Sequence, residues 1–118
     1  MTGKETTHDS AEIAQRLTNL PGWAYDSGSI RRTYKTDGWG STLMVVNAIG
    51  FACEAAGHHP DLVVSWSSVG VKLWTHSANG ITDKDFEAAQ LIEDTVLWRP
   101  ASGSALKEPP KEIVHGVT

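Results

Sequence analysis

Residues 54–60, with the sequence EAAGHHP, organise the chain, because a helix-ending glycine and proline enclose two adjacent histidines. Glu54 and His58 are four residues apart and share one face if the preceding apolar run is helical. Gly57 and Pro60 would then end that helix around the histidines. Histidine exchanges protons near neutral pH, so the pattern indicates general acid and base chemistry. Two surface histidines without a catalytic role are the alternative that this stretch alone leaves open.

The composition of the 118-residue chain fits one small globular domain, with 40% apolar and 20% charged residues. A formal net charge of −4 does not indicate a positively charged surface and argues against nucleic-acid binding. The one cysteine, Cys53, permits no internal disulfide and fits a reducing compartment. We find no signal segment and no apolar stretch near the ~20 residues that span a bilayer, so we expect a cytoplasmic protein without membrane contact.

Capping patterns and hydrophobic periodicity predict three helices and two hairpins. The predicted helix caps are Asp9 with Glu12, then Ser41 or Thr42, then Thr82 with Asp85. The predicted strands are residues 23–25, 30–34, 62–66 and 69–76. The order helix-strand-strand-helix-strand-strand-helix favours an α+β fold, a four-stranded antiparallel sheet with three helices packed on one face.

The chain divides into a domain, residues 1–100, and a flexible C-terminal tail, residues 101–118. Within the domain, residues 1–8 are polar and are expected to be frayed. The tail contains Pro109 and Pro110 and few apolar side chains, so we expect it to add little to the core.

Alternation along the last predicted strand separates two faces. Val69, Val71 and Leu73 share one face, and Lys72, Trp74 and His76 share the other. His76 therefore does not fit the pattern of a core residue.

The second predicted helix, about residues 43–56, is apolar almost all round, since only Asn47 and Glu54 interrupt it. A surface helix normally keeps one polar face toward water. We therefore expect a second copy of the chain to cover one side of this helix. A central helix buried wholly within one chain is the alternative.

The spacing Glu54-x3-His58-His59-Pro60-x5-Trp66-x9-His76-x8-Asp85 resembles the signature of the pterin-4a-carbinolamine dehydratase family. Gly22-Trp23 and Arg32-x-Tyr34 fit the same pattern, so the resemblance covers roughly residues 9–97. It implies a four-stranded antiparallel sheet with helices on one side and a homodimer or homotetramer. It also implies dehydration of 4a-hydroxytetrahydrobiopterin, a small-molecule pterin, without a metal or an organic cofactor.

The same resemblance implies the site residues. Catalytic roles fall to His58, His59, His76 and Asp85, and substrate-binding roles fall to Glu54, Trp23, Asp61 and Thr75. Loss of the 4a-hydroxyl as water needs one proton delivered to oxygen and one removed from the ring nitrogen, for which His58 and His76 are the candidate pair. His59 would orient the pterin ring. Asp85 would hold one imidazole in its useful tautomer, or would serve only as a helix cap.

Two other functions stay open at this point. Some proteins that resemble this family are inactive as dehydratases and look like assembly factors for RuBisCO in carboxysome-bearing bacteria, and the extra tail suits such a binding role. A zinc site is the other alternative, because Glu54, His58, His59 and His76 supply oxygen and nitrogen ligands. Adjacent side chains such as His58 and His59 tend to diverge, however, and no cysteine supports the cluster.

Overall fold

The computed structural model describes residues 5–116 of the chain as one layer of helices on one antiparallel sheet. The α-helices are α1 (Ser10–Leu17), α2 (Trp39–Ala56) and α3 (Asp83–Val96), and His76–Ala78 form a short 3-10 helix, so the strand predicted over residues 69–76 ends before His76. The strands are β1 (Ala24–Asp26), β2 (Ser29–Lys35), β3 (Asp61–Ser65) and β4 (Ser68–Leu73), in the spatial order β1-β2-β4-β3. The predicted α+β fold and its order of elements are confirmed.

Two short hairpins build the sheet. The turn between β1 and β2 consists of Ser27 and Gly28, with φ values of 51° and 87°. Positive φ at both central residues is the turn geometry that matches the twist of two-residue hairpins. Trp66 and Ser67 make the corresponding turn between β3 and β4, where Ser65 pairs with Ser68. The two hairpins meet along the antiparallel pair of β2 and β4.

The core lies between the sheet and the helices. Val69, Val71 and Leu73 of β4 are buried, which confirms the face predicted from the alternation. Ile49 of α2 and Ile92 of α3 are fully buried in the same cluster. Among residues 5–116, no α-helix covers the opposite face of the sheet, and the alternate residues of β4 point there.

The caps of α1 and α3 are those predicted, but the start of α2 differs. α2 begins at Trp39 after Gly38, which has φ 151° and offers no side-chain cap. Thr42, a predicted cap, is instead buried, and its hydroxyl donates to Trp66 O at 2.9 Å and contacts Thr36 Oγ1 at 2.6 Å. Ser41 and Thr42 lie inside the helix, and the Thr42 hydroxyl contacts the residue that follows β2 and the second hairpin.

One face of α2 is exposed in the single chain. Phe51 is 78% exposed and Met44 is 55% exposed, whereas Val45 and Cys53 are buried. The alternative of a helix wholly buried within one chain is therefore wrong. No helix among residues 5–116 has the length and hydropathy to cross a membrane.

Part of the predicted tail packs on the domain. Val114 is only 2% exposed and forms an isolated antiparallel bridge with Thr36. Asp37 N donates to Ile113 O at 3.2 Å, and His115 N donates to Lys35 O at 2.8 Å. The expectation of a tail that adds little to the core is thus wrong for residues 113–115, because backbone groups at the end of β2 and just after it bind them.

Candidate active site

The end of α2 places the two adjacent histidines. Gly57 follows the helix with φ 67°, a left-handed conformation that glycine adopts without strain. His58 N then donates to Cys53 O at 3.2 Å, and Gly57 N donates to Glu54 O at 3.2 Å. These bonds close the helix and turn the chain, so that His58 and His59 precede β3 at one end of the sheet, as the sequence predicts.

His58 contacts a fully buried carboxylate. Its Nε2 lies 2.7 Å from Asp85 Oδ1, and the two side chains are 14% and 0% exposed. The other oxygen, Asp85 Oδ2, accepts from Thr75 Oγ1 at 2.8 Å and from Thr82 N at 3.0 Å. Asp85 therefore caps α3 with one oxygen and contacts His58 with the other, so the helix cap does not exclude a hydrogen bond to the histidine.

Two threonines complete the surroundings of Asp85. Thr75 Oγ1 lies 2.7 Å from Thr82 Oγ1, and Thr82 Oγ1 accepts from Lys84 N at 3.2 Å. Thr75 and Thr82 are both buried. Because each polar group has a partner, the carboxylate is held in one orientation toward His58.

His59 points to a different carboxylate. Its Nε2 lies 2.8 Å from Glu54 Oε1, and the two side chains are 64% and 80% exposed. The helical spacing suggested that Glu54 would face His58 instead. Gly57 leaves the helical conformation before His58 is reached, so the four-residue spacing no longer places the two side chains on one face.

An open cleft joins the histidines to the end of β4. Its volume is about 440 Å³, within the roughly 300–1,000 Å³ of small-molecule sites. His76 stacks on Trp74 there, with ring centroids 3.9 Å apart and an angle of 27° between the planes. The residues that line the cleft are Gly57, His58, His59, Pro60, Asp61, Trp74, Thr75, His76, Ser77 and Lys84.

Sequence and structure comparisons point to one family. A family model described as pterin 4 alpha carbinolamine dehydratase matches residues 6–95, more than two thirds of the chain. A "Putative pterin-4-alpha-carbinolamine dehydratase" of Aquifex aeolicus is 45% identical over 85 residues, which are 72% of this chain and 86% of the relative. This chain belongs to the pterin-4a-carbinolamine dehydratase family.

Two further proteins of the pterin-4a-carbinolamine dehydratase family match a similar share of this chain. A "Putative pterin-4-alpha-carbinolamine dehydratase" of Roseiflexus is 40% identical over 75% of this chain and 96% of its own length. The crystal structure of a transcriptional coactivator/pterin dehydratase from Brucella melitensis superimposes with a TM-score of 0.72 and 25% identity. It covers 76% of this chain and 98% of the Brucella chain. The family match includes every predicted site residue and leaves the tail outside it.

Trp23 is the one predicted site residue that lies away from the cleft and its immediate supports. It is buried, and its Nε1 donates to Glu93 Oε1 at 3.0 Å. Tyr34 OH donates to the same oxygen at 2.6 Å, and burial, the largest cause, raises the pKa of Tyr34 far above its usual range. Arg32 Nε is 3.1 Å from that oxygen without the alignment of a hydrogen bond. This cluster fastens α3 to the first hairpin.

Four further neighbours of this dehydratase-family site were not predicted from the sequence, namely Trp74, Ser77, Lys84 and Glu5. Lys84 Nζ and Ser77 Oγ both donate to the carboxylate of Glu5, and the hydrogen bond from Lys84 is the largest cause that lowers the pKa of Glu5. Trp74 could have been found, because it shares the face of His76 in the alternation.

The expected fraying of residues 1–8 is wrong for His8, because its backbone N donates to Ile81 O at 2.8 Å. Residues 1–4 lie outside the described residues.

The zinc alternative finds no ligand set. Among residues 5–116, no group of three or more His, Cys, Asp or Glu side chains is placed to hold a metal ion. His58 turns to Asp85 and His59 turns to Glu54, so the adjacent imidazoles diverge.

Proposed function

We propose that this chain is a cytoplasmic 4a-hydroxytetrahydrobiopterin dehydratase, which removes water from a tetrahydropterin 4a-carbinolamine by histidine acid and base catalysis. The observation that carries the proposal is the 2.7 Å contact of His58 Nε2 with the buried carboxylate of Asp85, beside a cleft that His76 also lines. Family membership supports the reaction class. The single cysteine, Cys53, which has no disulfide partner, supports a reducing compartment.

His58 is the general base in this proposal. With Asp85 as a carboxylate that accepts the hydrogen bond, neutral His58 carries its proton on Nε2 and has Nδ1 unprotonated. Nδ1 takes the proton from N5 of the substrate. The bond between C4a and its hydroxyl oxygen breaks as a double bond forms between C4a and N5.

His76 is the general acid. As an imidazolium it gives a proton to the departing hydroxyl, so that one water leaves and the ring system becomes a quinonoid dihydropterin. The stacking of His76 on Trp74 restricts the plane of the imidazole and thereby aims its ring nitrogens. The net transfer is one proton to His58 and one from His76, and exchange with solvent restores both residues.

The remaining site residues bind or support the pterin. His59 orients the pterin ring, with Glu54 as its partner, and Asp61 offers a carboxylate at the rim of the cleft. Thr75 acts through Asp85, because its hydroxyl is already engaged there. Trp23 supports the fold and does not touch the substrate in this proposal, since its indole faces Glu93.

The protein also forms a homodimer or homotetramer through α2 in this proposal. Leu43, Met44 and Phe51 form an exposed apolar surface on that helix. Apolar surfaces of this kind usually mark association sites. Each of these side chains that the partner covers completely stabilises association by roughly 1.5–3 kcal/mol.

Single-histidine variants test the function. His58→Ala and His76→Ala should each lower kcat by about 10²–10⁴, the usual contribution of a general acid or base. His59→Ala should mainly raise KM. The matched control is His115→Ala, which removes an exposed imidazole of the tail outside the cleft.

Two outcomes would contradict the proposal. Unchanged kcat in His58→Ala and His76→Ala would remove the assigned acid and base. A wild-type protein with no rate above the uncatalysed dehydration that captures RuBisCO stably would favour the assembly-factor alternative instead.

A further inference from the structure

A second cavity adjoins the histidine cleft. Its volume is about 390 Å³, and Asp61 and Trp74 line both spaces. It lies over the helix-free face of the sheet. The residues that line it are Tyr25, Ser27, Gly28, Ser29, Arg31, Asp61, Lys72, Trp74, Asn79 and Gly80. A molecule bound in the cleft can therefore extend past Trp74 into a separate, polar space.

Two cations sit side by side on the floor of this cavity. Arg31 of β2 and Lys72 of β4 are direct cross-strand partners. Such a like-charge pair repels, and neighbouring strands usually avoid it. Arg31 is held in place, because its Nε donates to Ser29 Oγ at 2.8 Å and its Nη1 lies 3.5 Å from Asp26 Oδ2.

Lys72 is not compensated in the same way. Asp61 is its cross-strand partner on the other side, yet no ion pair within 4.0 Å joins them. Among residues 5–116, the Lys72 ammonium has neither a hydrogen-bond acceptor nor a carboxylate partner. The cavity thus offers an unpaired ammonium beside a fixed guanidinium, and both groups bind anions such as phosphate or carboxylate.

The C6 substituent of a tetrahydropterin lies close enough to the reacting carbon to reach from the histidine cleft into the second cavity. The reacting carbon C4a is bonded to N5, and N5 is bonded to C6, which carries the substituent that differs among natural pterins. With C4a held between His58 and His76, the substituent at C6 begins two bonds from the reaction centre. It can leave toward bulk water or run along Trp74 and Asp61 into the second cavity.

We propose that the second cavity binds an anionic group at the end of the C6 substituent, with Lys72 and Arg31 as its ligands. The inference rests on the proposed function, because it takes the position of the pterin ring from the two histidines. Asp61, at the junction, accepts hydrogen bonds from hydroxyl groups nearer the ring. The preferred substrate class is therefore a tetrahydropterin with a hydroxylated side chain that ends in a phosphate or a carboxylate.

Binding to stable ring analogues tests this inference without the need for turnover. The probes are a 7,8-dihydropterin with a neutral trihydroxypropyl side chain at C6, the same compound with a terminal phosphate ester, and an analogue with a terminal carboxylate. Isothermal titration calorimetry in a phosphate-free buffer of low ionic strength measures each Kd. The wild-type protein should bind at least one of the anionic probes about fivefold to twentyfold more tightly than the neutral probe.

Two lysine variants make the result specific. Lys72→Met should reduce the preference for the anionic probe to less than about twofold and leave the Kd of the neutral probe unchanged. Lys35→Met is the matched control, since Lys35 lies on the same strand as Arg31, four residues along and on the same face of the sheet. It should keep the full preference.

Each outcome has one meaning. A preference for the phosphate, the carboxylate or both supports the subsite and identifies the anion. Equal Kd values for all three probes in the wild-type protein, or an equal loss of preference in Lys35→Met, would overturn the subsite and leave the dehydratase proposal intact. No binding of any probe would overturn the subsite and the pterin assignment together.

Discussion

Replacement of Asp85 by asparagine separates two roles of this buried side chain, the cap of α3 and the hydrogen bond to His58. The amide oxygen of Asp85→Asn can still accept from Thr82 N and Thr75 Oγ1, as Asp85 Oδ2 does. The amide NH2 group then faces His58 Nε2 in place of the oxygen now 2.7 Å away. An NH2 group donates, so His58 must accept through Nε2 and carry its proton on Nδ1, which is the wrong tautomer for the proposed base.

The expected magnitudes differ for activity and stability. Loss of the required tautomer should lower kcat by about 10²–10⁴, as for removal of a general base. The fold keeps the cap of α3, so the free energy of unfolding should fall by only about 1–2 kcal/mol, the cost of about one altered hydrogen bond. Asp85→Ala should be worse, about 3–6 kcal/mol, because it leaves the buried partners Thr82 N–H, Thr75 and His58 with fewer acceptors.

The assay combines the initial rate of dehydration with urea denaturation of the same preparations. Asp94→Asn is the control, because Asp94 is an exposed carboxylate on the same helix that accepts from Gln90 Nε2. It should change neither quantity. A kcat of Asp85→Asn within threefold of the wild type would refute the tautomer reasoning, and a loss of stability as large as that of Asp85→Ala would refute the separation of the two roles.

Three further predictions concern the interface, the tail and the N-terminal segment. Phe51→Glu on the exposed face of α2 should give a monomer by light scattering with an unchanged helical spectrum; a persistent oligomer would place the interface elsewhere. Truncation after Glu112 removes the buried Val114 and should lower the free energy of unfolding by about 1–3 kcal/mol in urea, whereas unchanged stability would contradict its role in the core. The pKa of Glu5 is lowered from 4.5, chiefly by Lys84, so Glu5 should stabilise the fold above about pH 4.5. The advantage over Glu5→Gln should vanish as pH falls through the lowered pKa; an advantage that grew in acid would contradict the sign.

Local signals in the sequence predicted most of the fold correctly. The capping pair of Thr82 and Asp85, and the glycine at the end of α2, specify their own backbone geometry within a few residues. Alternation in β4 assigned Val69 and Lys72 to opposite faces, because the period of a strand is two. The position of His58 at the helix exit follows from the same local rules.

The contacts that the sequence did not reveal join residues far apart in the chain. Trp23 binds Glu93, 70 residues away, and Glu5 binds Lys84, 79 residues away. No local pattern encodes such pairs, since they depend on how the helices pack on the sheet. The burial of Val114 has the same cause, because its partner strand ends at Lys35, nearly 80 residues earlier. Tertiary packing decided these contacts.

The most direct test of the account is the dehydration rate of the wild-type protein itself. A 4a-carbinolamine generated in a stopped-flow instrument loses water to give a quinonoid dihydropterin, whose absorbance reports the rate. A dehydratase with His58 as its base should give a rate that rises in proportion to protein concentration, persists in a metal chelator and falls by about 10²–10⁴ in His58→Ala. A rate equal to that in buffer alone, at every protein concentration, would contradict the proposed function.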